Sequence, residues 1–266
     1  MKKNFIVKFT AALSSMALLM SIAGAPRAAD SANSDALQTS FTLYVWAPSM
    51  DGKLKYGTGG DGDASVDGGD ILNALQMAFM GALEVRKNRW SMLADVIYLD
   101  LADDKVSRVG LPGGDAIEAK VDLELSGWQV GLYGGYNLYH TEIASLDLLA
   151  GARYLQLDGD TKLTISGPLP PSLPSARLSS SSSIWDAVIG FRGRVELNPN
   201  WFVPYHVDVG AGDSDLTWQV MAGIGYQAGW GDLMLIYRHL EWDEGNDQFL
   251  QGLSFSGPAI AFRYRF

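Results

Sequence analysis

The sequence contains no cysteine, and only three of its 266 residues are histidine. Without cysteine, the chain can form neither a disulfide framework nor a thiolate metal site. Stability must therefore come from the fold itself. The three histidines, His140, His206 and His239, also leave little material for imidazole chemistry.

The chain also lacks a continuous apolar run of the roughly 20 residues that a transmembrane helix needs, although hydrophobic residues make up 47% of it. The longest apolar stretch, within residues 5–25, follows Met1-Lys2-Lys3, is interrupted by Lys8, and ends among small residues. This pattern predicts a signal peptide over residues 1–29, cleaved near Ala28 or Ala29. A membrane anchor is the alternative, but the run is short for it. The protein is therefore predicted to be exported.

Basic residues are scarce: 20 Lys and Arg stand against 30 Asp and Glu, giving a net charge of -10. Loss of the four bases in the signal peptide would bring the mature chain to about -14. A chain this acidic is unsuited to the phosphate backbone, so nucleic acid is not expected as a partner.

After a short polar periplasmic lead-in, residues 30–39, apolar residues alternate with small or polar residues at a period of two. The clearest case runs from Trp128 to Leu138, where the even positions are large and apolar except for Gly134, and the odd positions include two glycines, Gly131 and Gly135. Ten such segments occur, and the last ends the chain at Phe266. An exported membrane protein without helical spans must close its backbone hydrogen bonds in a barrel. Residues 40–266 are therefore predicted to form an all-β, transmembrane, antiparallel up-and-down barrel of ten strands. Eight strands are the alternative, because the seventh and eighth are joined only by the short link 211–215.

The connections between these segments alternate in length. Those near residues 88, 140, 199 and 230 are short, whereas 51–75, 107–116, 167–182, 211–215 and 244–251 are mostly longer and rich in Gly, Pro, Ser or Asp. Periplasmic turns and extracellular loops alternate in this way. The first strand is expected to run to about Met50. Upstream of Ser126 the apolar phase shifts, which indicates a β-bulge or an extension above the lipid.

Aromatic residues gather near the strand ends, as in the interfacial girdles of membrane barrels. The girdle on the turn side is predicted to contain Trp90, Trp201, Trp230, Tyr264 and Phe266. The girdle on the loop side is predicted to contain Trp46, Tyr98, Tyr154, Trp185 and Trp242.

Four segments resemble those of a family of small proteobacterial outer-membrane barrels related in pattern to the outer-membrane protein A, protein W and opacity-protein group. They are the segment Tyr44-Val45-Trp46-Ala47-Pro48 with Asp51-Gly52, residues 97–101, residues 214–219, and the closing Arg263-Tyr264-Arg265-Phe266. The resemblance covers about residues 40–266. It implies a Gram-negative outer-membrane location, contact with lipid and lipopolysaccharide, and recognition of the C-terminal strand by the barrel-assembly machinery. It leaves any extracellular ligand unidentified, because most members have no assigned activity.

The positions that face away from lipid carry six acids and seven arginines, close to neutrality. They are Glu84, Arg86, Asp95, Asp147, Arg153, Asp186, Arg192, Arg194, Glu196, Asp208, Arg238, Arg263 and Arg265. A barrel of this size has an interior that side chains can fill, so opposite charges there are expected to pair and plug the lumen. The predicted role is structural or in surface interaction. A narrow pore for small polar solutes or ions is the alternative, and an outer-membrane enzyme is less favoured. A channel for hydrophobic ligands would require an apolar lumen.

No enzymatic activity, cofactor or metal is expected. His206, two residues before Asp208, is interpreted as part of the interior network, and His239, close to Glu241, as a side chain at the membrane interface. The first loop has acids at positions 61, 63, 67 and 70, but it lacks the glutamate at the twelfth place of a calcium loop. It is therefore expected to be a solvated loop, with a helical turn over residues 70–75.

Overall fold

The computed structural model describes residues 36–56, 60–110, 116–166, 176–243 and 250–266. These residues are almost entirely β-structure, with one short helix. The elements are β1 Gln38–Trp46, β2 Ser49–Tyr56, β3 Gly60–Val66, α1 Gly68–Ala74, β4 Leu75–Lys87, β5 Trp90–Gly110, β6 Ala116–His140, β7 Ala144–Ser166, β8 Ala176–Glu196, β9 Trp201–Gly212, β10 Leu216–Ala228, β11 Gly231–Asp243 and β12 Leu250–Arg265. Among the described residues, no helix has the length and apolar character needed to cross a membrane.

Ten of the strands form a closed antiparallel barrel in the order β1-β4-β5-β6-β7-β8-β9-β10-β11-β12, and β12 pairs back with β1. The prediction of ten strands is confirmed. The alternative of eight is wrong, because β9 and β10 are separate strands of a hairpin, in which Val209 pairs with Trp218. The first strand of the barrel begins at Gln38, two residues before the expected boundary.

The first strand does not run to Met50 as expected, because the ladder is interrupted at Ala47 and Pro48. Pro48, in this interruption, and the nearby Pro258 of β12 both lack the N–H that a ladder needs. The chain resumes as β2, which continues along β12 with Ser49 opposite Ser256, and then turns back as β3. The expected solvated loop 51–75 therefore contains a β-hairpin, together with α1 close to the predicted helical turn.

The join between β1 and β4, here called the seam, is incomplete. The ladder runs from Gln38 opposite Arg86 to Leu43 opposite Gly81 and ends there. Beyond that point the backbone N–H of Trp46 donates to the Met80 sulfur at 3.1 Å, a weak acceptor. Helix α1 lies at this gap, because Gly68 N–H donates to Ser49 Oγ at 3.2 Å and Ile71 is buried. A cavity of about 70 Å³ remains, lined by residues of β1, α1, β4 and β5.

Strands β5 to β8 are longer than the prediction. The register of β5 on β6 runs without a shift from Trp90 opposite Tyr136 to Gly110 opposite Ala116. The phase change upstream of Ser126 is therefore an extension of the hairpins, and the bulge interpretation is wrong. The loop regions 107–116 and 167–182 are correspondingly shorter, because strand residues occupy their ends. Between Asn137 and Tyr139 there is a register shift on β7.

Side chains alternate between the two faces of the barrel wall. In β11, Leu233, Leu235 and Tyr237 are exposed, whereas the intervening Met234 and Ile236 are buried. This is the period of two that the sequence predicts. Neighbouring strands approach closely where glycine faces a carbonyl. A Cβ on Gly151 would lie 1.9 Å from the Leu132 oxygen, so only glycine fits there.

Outward-facing aromatic side chains form contacts at both ends of the wall. At the turn end, ring centroids are separated by 4.8 Å between Trp90 and Tyr136, by 5.1 Å between Trp201 and Tyr226, by 5.1 Å between Trp230 and Phe262, and by 5.9 Å between Tyr264 and Phe266. At the loop end they are 4.5 Å apart between Tyr98 and Trp128, 4.5 Å between Tyr154 and Trp185, and 4.4 Å between Trp218 and His239.

Two tryptophans assigned to the loop-side girdle point inward instead. Trp46 is 3% exposed and Trp242 is 1% exposed. Both occupy even positions on strands whose outward residues are odd, such as Val45 and Tyr237. Their position in the strand, rather than their closeness to its end, therefore decides which face they occupy.

Candidate functional site

The barrel interior is filled by side chains at several levels. Toward the loops lies an apolar layer, below it a middle layer of hydrogen-bonded charges around Arg153 and Arg238, and toward the turns a lower layer of ion pairs around Glu84 and Asp147. The residues facing the interior come from successive inward positions of the same strands, so the levels follow from the strand alternation.

Arg238 crosses the bore in the middle layer. From β11 its guanidinium reaches Asp95 on β5 at 3.1 Å and Gln129 on β6 at 3.3 Å, strands on the opposite side of the ten-strand ring. It also donates to the Tyr44 hydroxyl on β1 at 3.3 Å and to Gln219 Oε1 at 2.8 Å. The Tyr44 hydroxyl donates in turn to Asp95 at 2.6 Å. One buried cation therefore links five strands across the lumen.

Arg153 forms the second centre of the middle layer. Its fully buried guanidinium lies 2.5 Å from Asp208 and donates to the Thr217 hydroxyl at 2.8 Å. The other oxygen of Asp208 lies 2.6 Å from His206 Nε2 and accepts from Gln219 at 3.2 Å. His206 is held inside this network, in agreement with the sequence interpretation.

The lower layer is centred on Glu84 and Asp147. Glu84 contacts Arg86 at 3.1 Å and also pairs with Arg192, which comes from a strand four places round the ring. Asp147 pairs with Arg86, lies 3.7 Å from Arg192, and accepts from Asn137 at 2.7 Å. Two acids and two arginines from three strands, β4, β7 and β8, thus form one network, and Asn137 of β6 adds a hydrogen bond to it.

The remaining predicted charges lie nearer the turns. Arg194 contacts Glu196 at 2.5 Å and Asp232 at 3.9 Å, and Arg265 pairs with the same buried Asp232. Arg263 is close enough to Glu84 to interact with its charge. Asp232 is absent from the sequence prediction, although its even position on β11 marks it as inward. The apolar alternation begins only at Leu233, whereas β11 begins at Gly231, so the alternation alone does not reach Asp232.

Asp186 accepts a hydrogen bond from the backbone, whereas the sequence predicts that the interior charges pair with one another. It is 2% exposed, and its Oδ1 accepts the backbone N–H of Ser214 at 3.0 Å. It therefore fixes the short link between β9 and β10. Arg153, directly opposite Asp186 on β7, directs its guanidinium to Asp208 instead.

The apolar layer toward the loops, here called the upper layer, differs from the polar lumen that the sequence predicts. Trp46, Leu155, Ile184, Leu240 and Trp242 are buried there and pack as one cluster. The interior is thus not polar throughout, and the polar network begins beneath an apolar layer. The inward phase of Leu240 and Trp242 on β11 could have identified it.

A separate polar cluster, here called the outer-wall cluster, lies on the other face of the barrel. His239 Nδ1 is 2.6 Å from Ser256 Oγ, and His239 Nε2 is 3.2 Å from Glu241 Oε2. The imidazole packs against Trp218, with ring centroids 4.4 Å apart and the ring planes tilted by 40°. Ser256 is the direct cross-strand partner of His239. The proximity of Glu241 was expected from the sequence, whereas Ser256, on another strand, was not.

The acidic residues of the predicted first loop form no comparable cluster among the side chains that are described. Asp67 and Asp70 of the predicted first loop are exposed, and the side chains of residues 60–66 lie outside those described. Among the side chains that are described, no group of three His, Asp or Glu is arranged to hold a metal ion.

In the described part of the extended hairpins, Asp160 has a shifted pKa. The Ser179 hydroxyl at 2.5 Å and the Arg177 guanidinium at 3.2 Å hold the pKa of Asp160 below its usual value. Since Asp160 is fully exposed, this is a local effect on one carboxylate.

The similarity of this chain to known proteins is limited to the fold. No family model and no curated relative matches the chain. Similar solved structures include Ail, the attachment invasion locus protein of Yersinia pestis, in complex with the heparin analogue sucrose octasulfate, at 12% identity and TM-score 0.36, covering 86% of this chain and 99% of that one. They also include the translocator domain of the autotransporter NalP from Neisseria meningitidis, at 15% identity and TM-score 0.39 with full coverage of both chains. A third is the toluene transporter TodX of P. putida, at 12% identity and TM-score 0.30, covering 87% and 90%. At these identities and scores no activity is transferred.

Proposed function

We propose that this protein is an outer-membrane β-barrel with a closed, charge-paired lumen that serves as a structural or surface-interaction protein. The observation that carries the proposal is Arg238, whose buried guanidinium bridges opposite walls of the barrel. A cation held in this way obstructs the bore where a pore would need water.

The membrane location is supported by the outer surface. Consecutive outward positions such as Leu233, Leu235 and Tyr237 are each at least half exposed, and a water-soluble protein rarely exposes so continuous an apolar surface. Trp90 and Tyr98 are eight residues apart on β5 and lie in opposite girdles. Eight residues at about 3.4 Å each, tilted by about 40°, span roughly 21 Å, close to the apolar band of about 25 Å in such barrels.

Finer assignments belong to the same proposal. Residues 1–29 would be a cleaved signal peptide and 30–39 a periplasmic lead-in, and the barrel would belong to the outer-membrane protein A, protein W and opacity-protein group. Contact with lipopolysaccharide, and delivery by the barrel-assembly machinery through the C-terminal strand, are the expected partnerships. The interior is proposed to have no catalytic role, because the only histidine described there, His206, is held by Asp208.

The alternative function is a narrow pore for small polar solutes or ions. One observation favours it: the charges toward the turn end are partly accessible, with 27% of the Arg86 side chain and 40% of the Arg265 side chain exposed. Water can therefore reach the ion pairs from the turn end. A pore would still require the middle and upper layers to open.

Single-channel conductance in a planar bilayer separates the two functions. The purified wild-type protein is expected to give no steady open level. The Arg153→Met and Arg238→Met double variant, inserted in the same bilayer, tests whether removing both bridging cations opens a path. A steady open level in the wild type would overturn the plug and establish the pore.

A further inference from the structure

We propose that the outer-wall cluster is a serine hydrolase site that cleaves acyl ester bonds of membrane lipids, with Ser256 as nucleophile, His239 as general base and Glu241 as the carboxylate that orients the imidazole. This function is additional to the closed barrel proposed above and does not depend on it. It concerns the face of the wall opposite the lumen.

The first step of the argument is the geometry. Hydroxyl, imidazole and carboxylate form one chain, with 2.6 Å from Ser256 Oγ to His239 Nδ1 and 3.2 Å from His239 Nε2 to Glu241 Oε2. A nucleophile, a base and an orienting acid joined in this way define a catalytic triad whatever the fold.

The second step is the tautomer that this arrangement selects. A neutral imidazole has one N–H donor and one acceptor nitrogen. Because the Glu241 carboxylate can only accept, it fixes the proton on Nε2. The Nδ1 lone pair is then directed at the Ser256 hydroxyl and can remove its proton. The contact with Trp218 supports the ring in this orientation.

The third step is the depth of the cluster. His239 is eight residues above Gly231, next to Trp230 of the turn-side girdle, and Ser256 is eight residues before Tyr264 of the same girdle. Both therefore lie at the height of the loop-side girdle, beside Trp218, where aromatic residues meet the lipid headgroup region. The outward residues below them on β11 and β12 are Tyr237 and Pro258. Acyl ester bonds of outer-leaflet lipids lie at this boundary between apolar chains and headgroups, so the chemistry points to an ester with its chain along the wall.

The fourth step is access and support. The His239 side chain is 25% exposed and that of Glu241 is 37% exposed, so a substrate can reach the cluster from the lipid side. Ser49 is the cross-strand partner of Ser256 on β2, and its Oγ already accepts the Gly68 N–H at 3.2 Å. Direct partners in an antiparallel pair point to the same face. The Ser49 hydroxyl is therefore the group assigned to donate to the oxyanion.

The reaction balances with water as the only co-reactant. Ser256 Oγ attacks the ester carbonyl carbon while its proton passes to His239 Nδ1. The tetrahedral intermediate then expels the lipid alcohol, which takes that proton from the imidazole. Water, deprotonated by His239, attacks the acyl-serine and releases the fatty acid, and the proton returns to Ser256.

The test uses the full-length mature protein in detergent micelles that contain either a phosphatidylethanolamine or purified lipid A, with released fatty acids measured by mass spectrometry. Release is expected from at least one of the two lipids, and the pair identifies the source of the ester. Ser256→Ala is expected to lower the rate about a thousandfold or more, and Glu241→Gln about a hundredfold or more. Ser254→Ala, at the next outward serine of β12, is the matched control and should retain the activity.

A second readout does not depend on the choice of lipid. A fluorophosphonate probe is expected to label Ser256 covalently in the wild type and in Ser254→Ala, and to label it much more slowly in His239→Asn. Heat-modifiable electrophoretic mobility confirms that each variant is folded. Absence of both fatty-acid release and Ser256 labelling in folded wild-type protein, or equal rates in wild type and Ser256→Ala, would overturn the proposal.

Discussion

Replacing Arg238 by Met provides the most direct test of the interior network. The substitution preserves most of the side-chain volume but leaves Asp95, only 14% exposed, without its cation. Breaking a buried ion pair by removing one partner costs about 3 to 5 kcal/mol of unfolding free energy, because the remaining charge stays buried. Gln129 and Gln219 also lose a hydrogen-bonding partner, so we expect a value toward the upper end of that range.

The assay is urea unfolding of the barrel in lipid vesicles, followed by tryptophan fluorescence. Arg177→Met is the matched control: its ion pair with Asp160 is exposed, at 68% and 39%, and should contribute about 0 to 1 kcal/mol. The Arg238→Met and Asp95→Asn double variant should recover much of the loss, since no uncompensated charge remains. A cost for Arg238→Met no larger than that of the control would refute the argument that this cation is a buried bridge.

Three further changes test the wall and the extended hairpins. Gly151→Ala should prevent barrel formation, because its Cβ would lie 1.9 Å from a carbonyl oxygen. At Gly134 the nearest atom to such a Cβ is 3.8 Å away, so alanine should be tolerated there. The yield of heat-modifiable barrel measures the effect of each substitution. Leu235→Arg, midway between the girdles, should destabilise the inserted barrel by about 2 to 4 kcal/mol. Leu216→Arg, near the rim, should cost only about 0 to 1 kcal/mol. Equal losses of unfolding free energy in vesicles would contradict the depths inferred for these two residues. The pKa of Asp160 is lowered in the folded protein, so its contribution to stability is present above the unfolded pKa of about 3.9 and is lost as the pH falls through the folded pKa. A carboxyl-carbon NMR titration of Asp160 should give a midpoint below about 3.9. A midpoint at or above the unfolded pKa would exclude the hydrogen bonds to that carboxylate.

The sequence predicts the barrel because lipid imposes one rule on every strand that crosses it. Leu233, Leu235 and Tyr237 must face outward, and the period of two then fixes which residues face inward. Beyond the lipid-facing part of a strand, apolar residues are no longer required at every outward position. Strands β5 to β8 continue above the girdle, and there the residues around Leu123 and Leu125 follow no lipid-facing phase.

Contacts across the bore are the part that the sequence could not supply. The strand alternation puts Arg238 and Asp95 on the inner face, but which acid an arginine meets depends on the stagger of strands around the ring. The same holds for Ser256, which meets His239 only because β11 and β12 pair in that particular register. Partners two residues apart on one strand, such as His239 and Glu241, were recognisable from spacing alone.

The seam between β1 and β4 determines where the cylinder is mechanically weakest. Above Leu43 and Gly81 the two strands have no ladder between them, and the edge of β4 from Leu75 to Met80 is held on its β5 side. A mechanical load applied to the rim would therefore concentrate at the unpaired part of the seam, where the seven-residue helix α1 lies between the strand ends. Separation of β1 from β4 would start at the unpaired part of the seam and proceed toward the periplasmic end, one hydrogen-bonded residue pair at a time.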